Sequence, residues 1–224
     1  METPKAPTLP ATLVLSPSKT FFVGCDEVGY GCLAGPLVVG GVRAPRDWTL
    51  AGLNDSKKLS DKSLTAMRAK LLPLIEKKEI SYHFAERSNT YIDKVGVAVA
   101  LKEAYVECFH ALYDPDSLII TDGILKFDNL GVDAYDKVSL IKADNLIPCV
   151  MAASILAKTY RDGIMQEWHK KYPVYGWDSN VGYAAKAHYA GINNFGPCAL
   201  HRFSYAPMKL MPQPVSLWPG KQDE

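Results

Sequence analysis

The chain has 224 residues, 48% of them hydrophobic and 22% charged, an ordinary globular mix that excludes collagen, coiled coil and wholesale disorder. At this size a chain buries about two-thirds of its unfolded surface, enough for one core. Lys+Arg number 25 and Asp+Glu 24, so the net charge is +1; a basic coat is absent, and any nucleic-acid contact must use a local patch or metal ions.

Residues 1–19 carry Pro4, Pro7, Pro10 and Pro17 between short apolar pieces. They lack the basic start and unbroken apolar run of a secretory signal, and a loose tail on a cytoplasmic protein is expected. No stretch approaches the roughly 18 apolar residues of a membrane span. Thr20–Asp26 reads as a buried strand, Gly29, Gly31 and Gly35 punctuate a tight loop, and Pro36–Val42 reads as a second strand. Ser60 is placed to cap a helix along which Leu64, Met67, Leu71, Leu72 and Ile75 recur at helical spacing. Ile80–Ala85 is a third strand, and Asn89 caps a long helix to about Leu112. Ser117–Thr121 and Lys137–Lys142 are strands, Val150–Lys171 a long helix, and Ala184–Ala190 a short one. The segment beyond Pro207 holds Pro212, Pro214 and Pro219 and is expected to be loose. No internal repeat is visible. Strands first, then strand–helix alternation, predict an α/β domain with a mixed sheet. Cys25, Cys32, Cys108, Cys149 and Cys198 are odd in number and irregularly spaced, as buried thiols are, and unlike a disulfide framework or zinc ribbon.

Asp26-Glu27, Asp122 and Asp144 each fall at the carboxyl end of an apolar strand, where sites in α/β sheets collect. Two like charges 4 Å apart repel by about 4 kcal/mol at an intermediate dielectric. A divalent cation removes that penalty, and with no nitrogen ligand set in view the ion should be hard, Mg²⁺ or Mn²⁺. Asp122-Gly123 and Asp144-Asn145 read equally well as turns. Asp26-Glu27 is the stronger signal, because charged pairs are rarely set against a core without a partner. Adjacent strand residues face opposite sides, so for both acids to serve one site the strand must end at Asp26. The Gly29-Tyr30-Gly31 loop raises a dinucleotide fingerprint, but that motif needs a helix next, and a strand is predicted there. Such a loop still offers backbone N–H groups to a phosphate or sugar hydroxyl. Lys57 and Lys58 alone read as a solvated pair before a helix. Ser154, Lys158 and Arg161 share a helix face, either a polar stripe or a row of phosphate contacts. Tyr183 is a packed aromatic or a stacking platform.

Several ordered motifs make the pattern specific: Asp26-Glu-Val-Gly-Tyr-Gly-Cys-Leu-Ala-Gly-Pro36, Asn54-Asp-Ser-Lys-Lys-Leu-Ser60, Thr121-Asp-Gly123, Lys142-Ala-Asp144, Ala152-Ala-Ser-Ile-Leu-Ala-Lys158 with Arg161-Asp162, Gly182-Tyr183 with Lys186-Ala-His188, and Gly196-Pro-Cys-x-x-His201-Arg202. From about Phe21 to Pro207 the chain closely resembles type 2 ribonuclease H, ribonuclease HII. The sister type 3 enzymes carry an additional N-terminal domain, and about twenty residues precede the first strand here.

The resemblance implies a ribonuclease-H-like mixed five-stranded sheet flanked by helices, with a helical C-terminal region. The catalytic domain would span 20–207, with a tail over 208–224. It also implies a monomeric endoribonuclease that cuts the RNA strand of RNA/DNA hybrids and incises at ribonucleotides in duplex DNA, leaving 3′-hydroxyl and 5′-phosphate ends. Asp26, Glu27, Asp122 and Asp144 map onto its catalytic ligands for two Mg²⁺ or Mn²⁺ ions. Gly29-Tyr30-Gly31 maps onto its 2′-hydroxyl-reading loop and Tyr183 onto its junction-reading tyrosine. Ser154 and Lys158, with Lys57 or Lys58, are expected to hold phosphates. Two residues depart from the family pattern. Tyr30 stands where Arg is usual, which removes a charge and a fork of donors. Ala184-Ala185 stands where Gly-Thr is usual, which restricts the backbone. Gln213–Trp218 matches a clamp-binding peptide only in part, since Ser216 occupies an apolar position. A binding module of the same fold that does not cut is the competing reading.

Overall fold

The computed structural model describes residues 18–211 apart from Asp55 and Asn129. The expected N-terminal tail up to residue 17, and the C-terminal tail from residue 212 with its Gln213–Trp218 segment, lie outside the described residues.

The apolar runs form a five-stranded sheet: β1 (Phe21–Val28), β2 (Leu37–Pro45), β3 (Ser81–Arg87), β4 (Ser117–Asp122) and β5 (Lys137–Leu140), in the order β3-β2-β1-β4-β5. β1, β2 and β3 pair antiparallel, whereas β4 runs parallel to β1 and β5 parallel to β4. This is the mixed sheet the sequence predicts. β1 does not stop at Asp26, however. It pairs with β2 as far as Val28↔Val38, because the hairpin closes only through the Gly29–Pro36 loop. β5 ends two residues early because Lys142 turns left-handed, with φ 64°.

Six helices flank the sheet among the described residues: α1 (Asp61–Glu76), α2 (Asn89–Val95), α3 (Val97–Leu112), α4 (Pro148–Lys171), α5 (Trp177–Asn180) and α6 (Lys186–Phe195). Ser60 caps α1, accepting from the Ser63 N–H. The single helix expected from Asn89 is two, α2 and α3, divided at Gly96, whose φ of 84° no ordinary helix accommodates. α4 begins at Pro148, where the missing N–H costs nothing. The helix expected over Ala184–Ala190 is displaced to Lys186–Phe195, and Met208–Leu210 forms a 3₁₀ turn where a loose segment was expected.

Side chains of β1 alternate between two cores. Phe22 packs with α1 and α4 on one face; Val23 and Cys25 pack with α3 on the other. α4 crosses β1 and β2 at glycines. A Cβ on Gly24 would lie 2.3 Å from the Val150 nitrogen, and one on Gly40 2.8 Å from the Ala153 oxygen. This close approach sets Ser154 and Arg161 of α4 against the end of β1 and the loop after it. A third apolar cluster, with Leu33, Met165, Trp177 and Ile192, docks the C-terminal segment onto that loop. No helix among the described residues is long and apolar enough to cross a membrane.

Candidate active site

β1 and β4 are in parallel register at Cys25↔Thr121, so the next step along each strand sets Asp26 beside Asp122 at the carboxyl edge of the sheet. Asp26 is only 4% exposed. Burial pushes its carboxyl up to about 7; a hydrogen bond from Ser154 and the charge of Lys57 oppose this, and the charges of Glu27 and Asp122 add to it. Glu27, one residue on, projects to the α3 face, where the buried Tyr105 hydroxyl donates to Oε2. Asp122 Oδ1 accepts from the Ala143 N–H at 2.7 Å, which ties the end of β4 to the turn holding Asp144. Asp144 is buried, and its carboxylate meets Lys57 Nζ and Asn145 Nδ2, each at 2.8 Å. Lys57 therefore links the two ends of the acidic set, bearing on Asp26 and paired with Asp144.

Among the described residues no three His, Cys, Asp or Glu side chains already stand close enough together to hold one ion. The donors themselves fit a hard divalent cation: they are all carboxylates, and Asp26 is buried beside two further acids whose repulsion such a cation relieves. The remaining expected contacts divide. Ser154 is buried and shares a 2.7 Å hydrogen bond with Ser56. Lys58 donates to Asn145 Oδ1, and Lys158 pairs with Asp162 on its own helix at 2.7 Å. Arg161 is not one of a row of surface phosphate contacts. It is completely buried, because the glycine loop folds over its face of α4.

That loop is held by its carbonyls. Arg202 Nη1 and the Tyr205 hydroxyl donate to Tyr30 O at 2.9 and 2.7 Å. Arg161 Nη2 donates to Ala34 O at 3.1 Å, Arg202 Nε to Gly35 O at 3.0 Å and Arg161 Nε to Pro36 O at 2.8 Å. Four carbonyls thus turn inward. Outside, the Tyr30 side chain is exposed, and nothing stands within 4 Å of where a Gly31 side chain would be. Strand β2 follows the loop, so the geometry of a dinucleotide fingerprint is absent.

Tyr183 lies beside this loop, 42% exposed. Burial of the rest of the ring and the nearby Cys32 push its phenol up, while the Arg161 guanidinium and the Gly29 backbone act the other way. Trp177 Nε1 can only donate, so His188 Nε2 accepts from it at 3.0 Å; the proton is then on His188 Nδ1, which donates to Tyr183 O at 2.9 Å. Ala184 does not take the left-handed backbone that favours glycine; among described non-glycine residues positive φ falls at Lys78, Lys142 and Val181. Val181, at φ 41°, is a β-branched residue in a conformation that costs about 1–3 kcal/mol.

A sequence profile of the family described as Ribonuclease HII matches residues 23–208. The chain belongs to the ribonuclease HII family. It is accordingly a nuclease, a hydrolase of phosphodiester bonds. The ribonuclease HII of Oceanobacillus iheyensis is 40% identical over 189 residues, which cover 84% of this chain and 69% of that one. The fold is also that of the ribonuclease H2 of Pyrococcus horikoshii, with a TM-score of 0.69 and 23% identity over 85% of this chain and 96% of that one. Bst-RNase HIII, in a structure described as a complex with Mn²⁺, aligns with a TM-score of 0.64 and 21% identity over 89% of this chain and 72% of that one.

Three contacts at the candidate site escape the sequence reading: Tyr105 on Glu27, and Arg202 and Tyr205 on the Tyr30 carbonyl. Tyr105 had a signal. It stands on the apolar stripe of α3 with Leu101, Ala104 and Cys108, and a buried tyrosine hydroxyl needs a partner. Arg202 closes one of the ordered motifs, which assigns it no role, and Tyr205 had no signal, since nothing in the sequence says that the C-terminal segment returns to the first loop.

Proposed function

We propose that the chain is an endoribonuclease that hydrolyses the RNA strand of RNA/DNA hybrids and incises at ribonucleotides in duplex DNA, leaving 3′-hydroxyl and 5′-phosphate ends. One observation carries this reading: the juxtaposition of Asp26 and Asp122 at the carboxyl edge of the sheet, next to a loop with four of its carbonyls drawn inward. Asp26, Glu27, Asp122 and Asp144 would hold two Mg²⁺ or Mn²⁺ ions; β1 runs past Asp26 and turns Glu27 to its other face, but the Glu27 charge still bears on Asp26 at the same sheet edge. Bound there, such ions supply electrostatic stabilisation of the charge that develops around the scissile phosphate.

The chain's own groups orient and bind. Tyr105 fixes Glu27, Ser154 fixes Asp26, and the Ala143 amide fixes Asp122. Lys57 neutralises Asp144 until substrate and cations arrive, and then its ammonium, with those of Lys58 and Lys158, serves flanking phosphates. The outward backbone of Gly29-Tyr30-Gly31 reads the 2′-hydroxyl, which is what distinguishes RNA from DNA. Tyr183 gives the sugar or base at the junction a surface to stack on.

The test is a labelled DNA duplex with one ribonucleotide, mixed with the protein and Mg²⁺ or Mn²⁺. Incision is expected, and Asp122→Asn should abolish it while retaining binding. A folded wild type that binds the duplex but never cuts it, with either ion, would establish a binding module instead. Wild-type rates from Asp122→Asn would refute the role given to that acid.

A further inference from the structure

Arg161 is completely buried on α4, and among the described residues no carboxylate stands within ion-pair distance of it. A guanidinium in that position needs a reason, because desolvating a charge without a counter-charge is costly. Its Nε, Nη1 and Nη2 all donate to carbonyls, and the carbonyls belong to two separate loops. Nε and Nη2 donate to Pro36 O and Ala34 O of the glycine loop, at 2.8 and 3.1 Å. Nη1 donates to Val181 O, at 2.7 Å, in the turn that carries Tyr183. The guanidinium carbon is 5.9 Å from the centre of the Tyr183 ring.

The surroundings are built to this one side chain. A Cβ on Gly29 would lie 2.3 Å from Arg161 Nε, and one on Gly35 3.3 Å from Nη2. Gly182 packs so closely on the glycine loop that a Cβ there would lie 2.6 Å from Ala34 O, and its own carbonyl accepts from the Leu33 N–H at 2.8 Å. Val181 keeps its left-handed backbone while its carbonyl is gripped by Nη1. Strained residues persist only where neighbours over-determine them.

We infer that Arg161 is a positioning residue that fastens the Gly29–Pro36 loop to the Val181–Tyr183 turn, so that the backbone facing the ribose and the stacking tyrosine form one rigid template. The inference rests on the nuclease reading above and deepens it by naming what holds its ribose discrimination in register. A lysine cannot replace this arginine. Its ammonium is a point charge, whereas the guanidinium spreads its donors across a plane wide enough to span both loops.

The probes are a DNA duplex with one ribonucleotide and the same duplex in all-DNA form, followed by fluorescence anisotropy, and by incision kinetics for the first. Arg161→Lys is expected to lose at least tenfold of the preference for the ribonucleotide duplex and to raise KM by a similar factor, with affinity for the all-DNA duplex unchanged. A folded Arg161→Lys with wild-type preference and KM overturns the inference. Should that variant fail to fold, amide exchange in the wild type decides. The Leu33 and Tyr183 amides, both hydrogen-bonded, should open together as denaturant is added; separate openings overturn the coupling. A wild type that neither incises nor prefers the ribonucleotide overturns the nuclease reading, and the exchange result still settles whether the two loops form one unit.

Discussion

The Tyr105 hydroxyl of α3 donates to the Glu27 carboxylate from the face of the sheet opposite Asp26. Two adjacent acids on one regular strand therefore work through different supports, Ser154 behind Asp26 and Tyr105 behind Glu27. Tyr105→Phe removes only the second. Glu27 is half-exposed and finds water instead, so stability should change by less than about 1 kcal/mol. Incision should fall about tenfold, the effect of losing roughly 1.4 kcal/mol of orientation. Thermal melts beside single-turnover rates test this; an unchanged rate would remove Tyr105 from the site.

The raised carboxyl of Asp26 has a definite sign. In the unfolded chain an aspartate loses its proton near pH 4, whereas in the fold Asp26 keeps it up to about pH 7. Between those values the folded state binds more protons, so without divalent ions this group makes stability fall as pH rises. Asp26→Asn should therefore be more stable than wild type at pH 8 in chelator, by on the order of a few kcal/mol, with the difference gone near pH 4. Adding Mg²⁺ should raise the Tm of the wild type more than that of the variant. Equal Tm values for the two proteins across this range would show that Asp26 carries no such burden.

Gly24→Ala tests how α4 is seated. The new methyl would fall 2.3 Å from the Val150 nitrogen, and backbone cannot yield as a side-chain tip does. We expect a loss of about 1–3 kcal/mol or more in urea unfolding. Activity per folded molecule should also fall, since Ser154 and Arg161 ride on the displaced helix. A neutral substitution would mean that α4 has slack against β1.

Tyr30→Arg places a cation on an exposed side chain whose backbone is already fixed by Arg202 and Tyr205. Loop geometry should survive. Substrate affinity should rise at low salt, and the dependence of log K on log salt should steepen by about one unit for one added phosphate contact. An unchanged slope would show that position 30 points away from the bound backbone.

Much of this architecture is legible in the sequence because short apolar runs and helical stripes report burial directly. All five strands, α1 and α4 are found this way, with ends shifted where an outside partner decides them. β1 outlasts its apolar run because β2 goes on pairing with it, and a single glycine at positive φ divides a stripe that otherwise looks continuous. The acids show themselves one by one as strand-end residues. That Asp26 and Asp122 adjoin follows only from the parallel register of β1 with β4, which the sequence does not carry. Arg161 misleads for a related reason: on a bare helix it belongs to a polar stripe, and only the loop folded over it makes it interior.

Arg161 and Arg202 have a consequence for how the protein meets a polyanion. Both guanidiniums lie wholly beneath the surface, under the first loop, with no acid among the described residues to cancel them. Dissolved salt crowds around lysines at the periphery but cannot enter there, so it shields these two far less. On the reading proposed above, with the strand over this loop, the two guanidiniums would give a nearly neutral molecule a fixed positive spot beneath it, whose pull weakens less with ionic strength than that of the exterior lysines.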